Sequence, residues 1–205
     1  MKYKDFKVDN QVIKIPIPCG YADCMTLINS DQYRWTGRNK SCLSLIIDNL
    51  KPFHSSVLFW KRLSQHKGWL HLLCVYMYKR ACRRYQISMP SSTLIGYGFY
   101  IGHGMCITIN GGTIIGNNVN VSQGMTIGTA MKAPAIVGNN AYIGPNTCLV
   151  EGVVVGSNST IGAGSVVTKD VPENATVAGS PAKILNYDNP GRLIKNPFIV
   201  ENGME

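Results

Sequence analysis

The sequence predicts a mainly β fold, a parallel β-helix of hexapeptide repeats behind an α-helical N-terminal region. Two observations predict the repeat and a third predicts the helices. Aliphatic residues recur, mostly in steps of six, at Ile95, Ile101, Ile109, Ile115, Val121, Ile127, Val137, Ile143, Leu149, Val155, Ile161 and Val167. Eight of the twelve residues that follow them are glycines, and four places on sits mostly a small or β-branched side chain, as at Thr113, Val119, Ala141, Thr147, Val153, Ser159, Ser165 and Val171. A period of six fits neither a helix nor a simply alternating strand, and reads as stacked coils. Each hexad is then a short strand and a corner, with the aliphatic inward and a glycine where the backbone must turn sharply. Three hexads close one triangular turn, so twelve make about four coils, each covering its neighbour's apolar face. Upstream, from Phe53 to about Tyr85, the patterning is helical instead.

Taken in order, residues 1–87 form an arm and helical region, 88–185 the β-helix and 186–205 a C-terminal tail. Val12 to Pro18 alternates and is cut by prolines, so residues 1–20 read as an extended arm. Residues 21–50 read as mainly helical, with Asp23 a candidate N-cap. Asn49 to Pro52 reads as a turn, and two helices follow, broken near Lys67-Gly68. The second is apolar nearly all round from Trp69 to Tyr78 and ends in a basic cluster. Burial against a neighbouring helix or subunit is the expectation for it, and an interfacial helix lying on a membrane is the alternative. The coils end at Gly179-Ser180-Pro181-Ala182-Lys183, and the tail from Asn186 reads as polar and loosely packed.

The period breaks twice. Ile101 to Ile109 carries two extra residues in a bulge that contains His103, and Ile127 to Val137 carries four extra in a loop spanning 129–135. Three regular steps return to the same face, so Ser122 and Gln123 are expected one coil above Gly102 and His103. The loop leaves from the next corner, out of reach of the bulge within one subunit; a neighbouring subunit would bring the two together.

The net charge is +9, with no carboxylate between Asp48 and Glu151, while Lys61, Arg62, Lys67, Lys79, Arg80, Arg83 and Arg84 crowd the helical part. Nucleic acid is not expected, because the cations are not interleaved with stacking platforms; an anionic membrane surface or a phosphate-bearing substrate fits better. No apolar run is long enough to span a bilayer, and the N-terminus lacks an apolar signal core. Seven scattered cysteines without a CxxC argue for reduced thiols and against a zinc site. The expected location is cytoplasmic, with peripheral contact at the inner face of the membrane left open.

Among four histidines only His103 lies in the β-helix, and imidazole is the natural group for taking a hydroxyl proton near neutral pH. The hexapeptide run, Gly102-His103-Gly104, the Ser122–Gly128 segment, the Ile161–Pro172 segment and the closing Gly-Ser-Pro-Ala-Lys together resemble the hexapeptide acyltransferases. The resemblance lies closest to serine acetyltransferase and its relatives among polysaccharide O-acetyltransferases. It covers residues 87–185, and the helical part, including Asp31 to Gly37, is more similar to the polysaccharide branch.

That resemblance implies a left-handed coil, a homotrimer with sites between subunits, and acetyl-CoA as acyl donor with no metal. His103 is implied as the general base. Thr129, Pro145 and Ala163 match positions along the pantetheine arm, and Thr168, Lys169 and Lys183 match residues toward the CoA end. Ser122, Gln123 and Asp31 are candidates for the cleft, and either a backbone carbonyl or Asp31 is a candidate to orient His103. Serine acetyltransferases carry an aspartate some way before the histidine and a histidine before the loop proline, where this chain has the Gln86–Pro90 segment and Ala133. The expected activity is therefore O-acetylation of a sugar hydroxyl in surface polysaccharide biosynthesis. The alternatives are serine O-acetylation in cysteine biosynthesis and a catalytically inactive trimeric scaffold.

Overall fold

Twelve short strands stack into the three faces of a prism, and the predicted period accounts for all of them. The computed structural model describes residues 1–50, 55–129, 133–150 and 152–200, so residues 51–52 of the expected turn and 130–132 of the expected loop lie outside the described residues. Before the prism come strands β1 (Lys2–Val8) and β2 (Gln11–Ile17) and helices α1 (Tyr21–Thr36), α2 (Cys42–Leu50), α3 (Ser55–Ser64) and α4 (His71–Tyr85). The prism strands are β3 (Leu94–Ile95), β4 (Tyr100–Gly102), β5 (Thr108–Ile109), β6 (Ile114–Ile115), β7 (Asn120–Ser122), β8 (Thr126–Ile127), β9 (Ile136–Val137), β10 (Tyr142–Ile143), β11 (Cys148–Leu149), β12 (Val154–Val155), β13 (Thr160–Ile161) and β14 (Val166–Val167). β15 (Thr176–Gly179) and β16 (Ala182–Asn186) follow.

One face stacks β4, β7, β10, β13 and β15 in parallel, with β16 antiparallel on its far edge. The second stacks β5, β8, β11 and β14, and the third β3, β6, β9 and β12. All twelve aliphatic positions are no more than 2% exposed, and the small residues four places on are buried beside them. One inward position per strand forms the core, and the residue before it faces outward, polar at positions such as Thr108 and Thr126 and aliphatic all along the third face.

Corners repeat as the strands do. Asn118, Asn140, Asn158 and Asn174 all take left-handed backbone angles, φ 55–65°, which asparagine tolerates better than most side chains. Their amides form a ladder, Asn140 Nδ2 donating to Asn158 Oδ1 (3.0 Å) and Asn158 Nδ2 to Asn174 Oδ1 (3.1 Å). In the first coil the same corner is Gly98, φ 64°.

A stacked coil leaves a bare edge at each end, and an exposed strand edge is a template for unwanted pairing. The helices close the first edge with buried charge. Lys61 Nζ donates to Thr93 O (2.9 Å), and Arg62 donates to Ile95 O (2.8 Å) and Gly96 O (2.6 Å). Arg34 donates to Gly98 O (2.7 Å), while the Gly98 and Phe99 amides donate to Ser30 Oγ and Asp31 Oδ1. Burial pulls Arg34 down to about 10 and pushes the Lys61 amine well below its usual range, as desolvation does to any cation.

Two segments differ from their sequence expectation. The N-terminal arm is a hairpin, paired from Lys2↔Ile17 to Val8↔Gln11, and Asp9, φ 50°, supplies its turn. The alternation that predicts extension also puts Val8, Ile13 and Ile15 on one side, where they cover Leu94, Ile114, Ile136 and Val154 on the third prism face. The tail is anchored. Gly191 N donates to Asn158 O, Asn120 Nδ2 to Leu193 O, Arg34 Nε to Lys195 O and Phe198 N to Asn118 Oδ1. Phe198 stacks on Tyr97. The asparagine corner and Arg34 thus supply partners that composition alone does not reveal.

Asp23 is likewise displaced from its expected role: Gly20 is the N-cap of α1. The Asp23 carboxylate sits in the first turn, accepting from Cys19 N (2.8 Å) and pairing with the Met1 amino group (3.0 Å). α3 and α4 are separated at 65–70, as expected. Among the described residues no helix is long and apolar enough to cross a membrane.

Candidate active site

The parallel register builds a column of candidate residues along one corner. Ile101 pairs with Val121, Val121 with Ile143, Ile143 with Ile161 and Ile161 with Val177. The next residues are Gly102, Ser122, Gly144, Gly162 and Ala178, and the next after those are His103, Gln123, Pro145, Ala163 and Gly179. Backbone bonds hold the rungs, Asn146 N donating to Gln123 O (2.9 Å) and Gly164 N to Pro145 O (2.8 Å). A Cβ on Gly144 would lie 2.8 Å from Ala163 N, so the coils approach too closely there for any larger residue. Lys183 joins the far end of this column, because β16 pairs it with Ala178. Above Gln123 the corner is edged by the small side chains of Pro145, Ala163 and Ala178.

His103 opens the column from the bulge. Its backbone is left-handed, φ 49°, as is that of Cys106, φ 54°. The extra residues cannot stack on the coil above, so their backbone finds other partners. Met105 N donates to His103 O (2.7 Å), Gly124 N to Met105 O (3.1 Å) and Cys106 N to Tyr85 O (3.1 Å) at the end of α4. The ring of His103 is exposed. Gln86, at the C-cap of α4, accepts from Cys106 Sγ (3.1 Å). Sequence reasoning did not count Gln86 as a site residue, although it begins the segment that departs from the serine acetyltransferase pattern.

Asp31 does not reach this histidine. It is 3% exposed, and Arg62 grips both its oxygens (2.9 and 3.0 Å) while Phe99 N donates to one of them. The carboxylate is committed to the edge of the first coil, and its expected place in the cleft is withdrawn. Ser122 is buried beside Gly102 and Gln123 is half-buried on the column. Both stand where the six-residue count puts them.

The remaining candidates stand on a second corner. Ile127 pairs with Leu149 and Leu149 with Val167, so Thr129 and Lys169, each two residues past its strand, share one column, with Thr168 beside Lys169. Ala133 resumes the described chain after the loop, its carbonyl accepting from Gly152 N (2.7 Å). Within one chain the two columns edge different corners. Among the described residues no group of His, Cys, Asp or Glu is placed to hold a metal ion.

Residues 134–169 match the family model for bacterial transferase hexapeptide (six repeats). The chain is 31% identical to serine acetyltransferase 2 of Arabidopsis thaliana over 77% of its own length and 51% of the relative. It is 34% identical to the galactoside O-acetyltransferase of Escherichia coli K12 over 50% of its length and 57% of that relative. The crystal structure of a Brucella abortus serine acetyltransferase in complex with coenzyme A superposes with a TM-score of 0.66 at 24% identity, covering 80% of this chain and 68% of that one. The chain thus spans about half the length of the curated relatives it matches. The helical part and the β-helix together share the architecture of the solved acetyltransferase.

Proposed function

We propose that this protein transfers acetyl from acetyl-CoA to a hydroxyl group, with His103 as general base. The observation that supports this best is the column that starts at an exposed histidine and continues past Gln123, Pro145 and Ala163 on one corner. His103 takes the acceptor's hydroxyl proton as that oxygen attacks the thioester carbon. The carbon–sulfur bond then breaks, and the CoA thiolate leaves with the proton that the imidazolium returns. Backbone N–H groups at the cleft would stabilise the tetrahedral oxygen. Direct attack leaves no need for a nucleophilic residue. On this reading Pro145 and Ala163 lie under the pantetheine arm and Lys183 stands toward the CoA end.

The acceptor has two readings. Relatives favour serine, since the serine acetyltransferase matches 77% of the chain and the galactoside enzyme 50%. The chemistry of the site favours a saccharide hydroxyl in surface polysaccharide biosynthesis. An amino acid brings an ammonium group that needs an anionic partner once it leaves water. Asp31, the carboxylate expected in the cleft, is already committed to Arg62. CoA-thiol release from acetyl-CoA, with serine compared at equal concentration with mono-, oligo- and lipid-linked saccharides, decides between them. A saccharide is expected to give the highest kcat/KM; serine at the top would establish the serine reading instead.

The separation of the two columns supports a homotrimer. Rotation about a threefold axis joins corner to corner, bringing Thr129, Thr168 and Lys169 of one copy to the His103 column of the next. Light scattering at micromolar concentration is expected to give three times the chain mass. An active monomer would mean that one column suffices.

A further inference from the structure

Helix α4 carries one continuous exposed face. Trp69, just before its first turn, and then Leu72, Leu73 and Tyr76 follow the helical spacing, and they are 86%, 82%, 51% and 55% exposed. The same face continues through Lys79, Arg80, Arg83 and Arg84, all exposed. The opposite face buries Cys74, Tyr78 and Ala81. Half of the exposed face is thus aromatic and aliphatic, and the other half carries four cations. Complementing the helix dipole accounts for cations in the last turn, Arg83 and Arg84, but Lys79 and Arg80 lie a turn earlier. Nothing in the fold requires four large apolar side chains in water.

We infer that this face docks the protein on an anionic phospholipid bilayer. The apolar half enters the boundary between headgroups and acyl chains, where tryptophan and tyrosine are at home, and the cationic half lies on the phosphates. Charge selects this occupant over a second copy of the chain. A copy docked through the same face would set four cations against four, because neither α3 nor α4 carries a carboxylate. The orientation has a consequence for the active site proposed above. The C-terminal end of α4 holds the histidine bulge through Tyr85 and Gln86, so docking sets His103 near the lipid surface, within reach of an acceptor presented there.

Co-sedimentation of the full-length protein with vesicles tests this, using phosphatidylcholine alone or mixed with phosphatidylglycerol. Sedimentation is expected with the anionic vesicles, weakening as salt is added. Leu72→Ser/Leu73→Ser and Arg80→Gln/Arg83→Gln, checked for native circular dichroism, are each expected to weaken it by about tenfold or more. Wild-type protein that stays in solution with anionic vesicles would overturn the inference. So would apolar variants that bind as well as wild type, or that bind unchanged while their mass in solution falls, which would mark the face as a contact between copies. The readout is independent of turnover, so its failure leaves the acetyl-transfer reading standing.

Discussion

His103→Ala is expected to lower turnover by about 10²–10⁴-fold while leaving the fold intact, the range for losing a general base. The side chain is exposed, and the bulge is held by backbone bonds to Tyr85, Met105 and Gly124. Removing the imidazole therefore takes away no core contact. Circular dichroism and light scattering should match wild type as CoA release collapses. A variant that unfolds would give His103 a structural role; one that keeps wild-type turnover would remove it from the chemistry.

Asp31→Ala is expected to cost about 3–5 kcal/mol of stability, because it strands a charge that has no water to turn to. Arg62 is fully buried, and its guanidinium balances one carboxylate while donating to Ile95 O and Gly96 O. The Phe99 amide would lose its acceptor in the same step. Urea denaturation measures the loss. A change below about 1 kcal/mol, the size typical of a solvated surface pair, would mean that water reaches Arg62 and that the pair contributes little to the seam between helices and coils.

The repeat was legible because inward positions in a prism admit little besides aliphatic and small residues, and every departure from six had to surface as a bulge or a loop. Counting sixes was enough to stack Ser122 and Gln123 beside Gly102 and His103, and to set Thr129 and Lys169 on another corner. What stayed hidden depends on partners far apart in sequence. Asp31 reads as a free carboxylate near a histidine until Arg62 is seen to hold it. The arm reads as extended because strand patterning does not say what a strand pairs with, and its turn at Asp9 shows only once the two strands are seen paired. A polar tail reads as loose because its anchors, Asn118, Asn120 and Arg34, are themselves polar residues with no apolar signature. Exposure of the α4 face was open too: an all-round apolar helix usually means burial, whereas here the exposed and buried residues divide cleanly by face.

The tail's path also joins parts of the molecule that lie far apart in sequence. Successive coils meet across about twenty residues, Ile101 to Val121 and Ile143 to Ile161, whereas the bond from Arg34 to Lys195 O closes a loop of 161. With the coils between them stacked, only the short segment after Asn186 spans from β16 to this contact, so the tie closes a short loop in space although it joins residues far apart in sequence. Arg34 donates to Lys195 O from a guanidinium that also donates to Gly98 O and Asn120 Oδ1. The final stretch of chain therefore works as a clasp: through Lys195 O and Phe198 N it ties the last segment back to the first helix and to the asparagine corner.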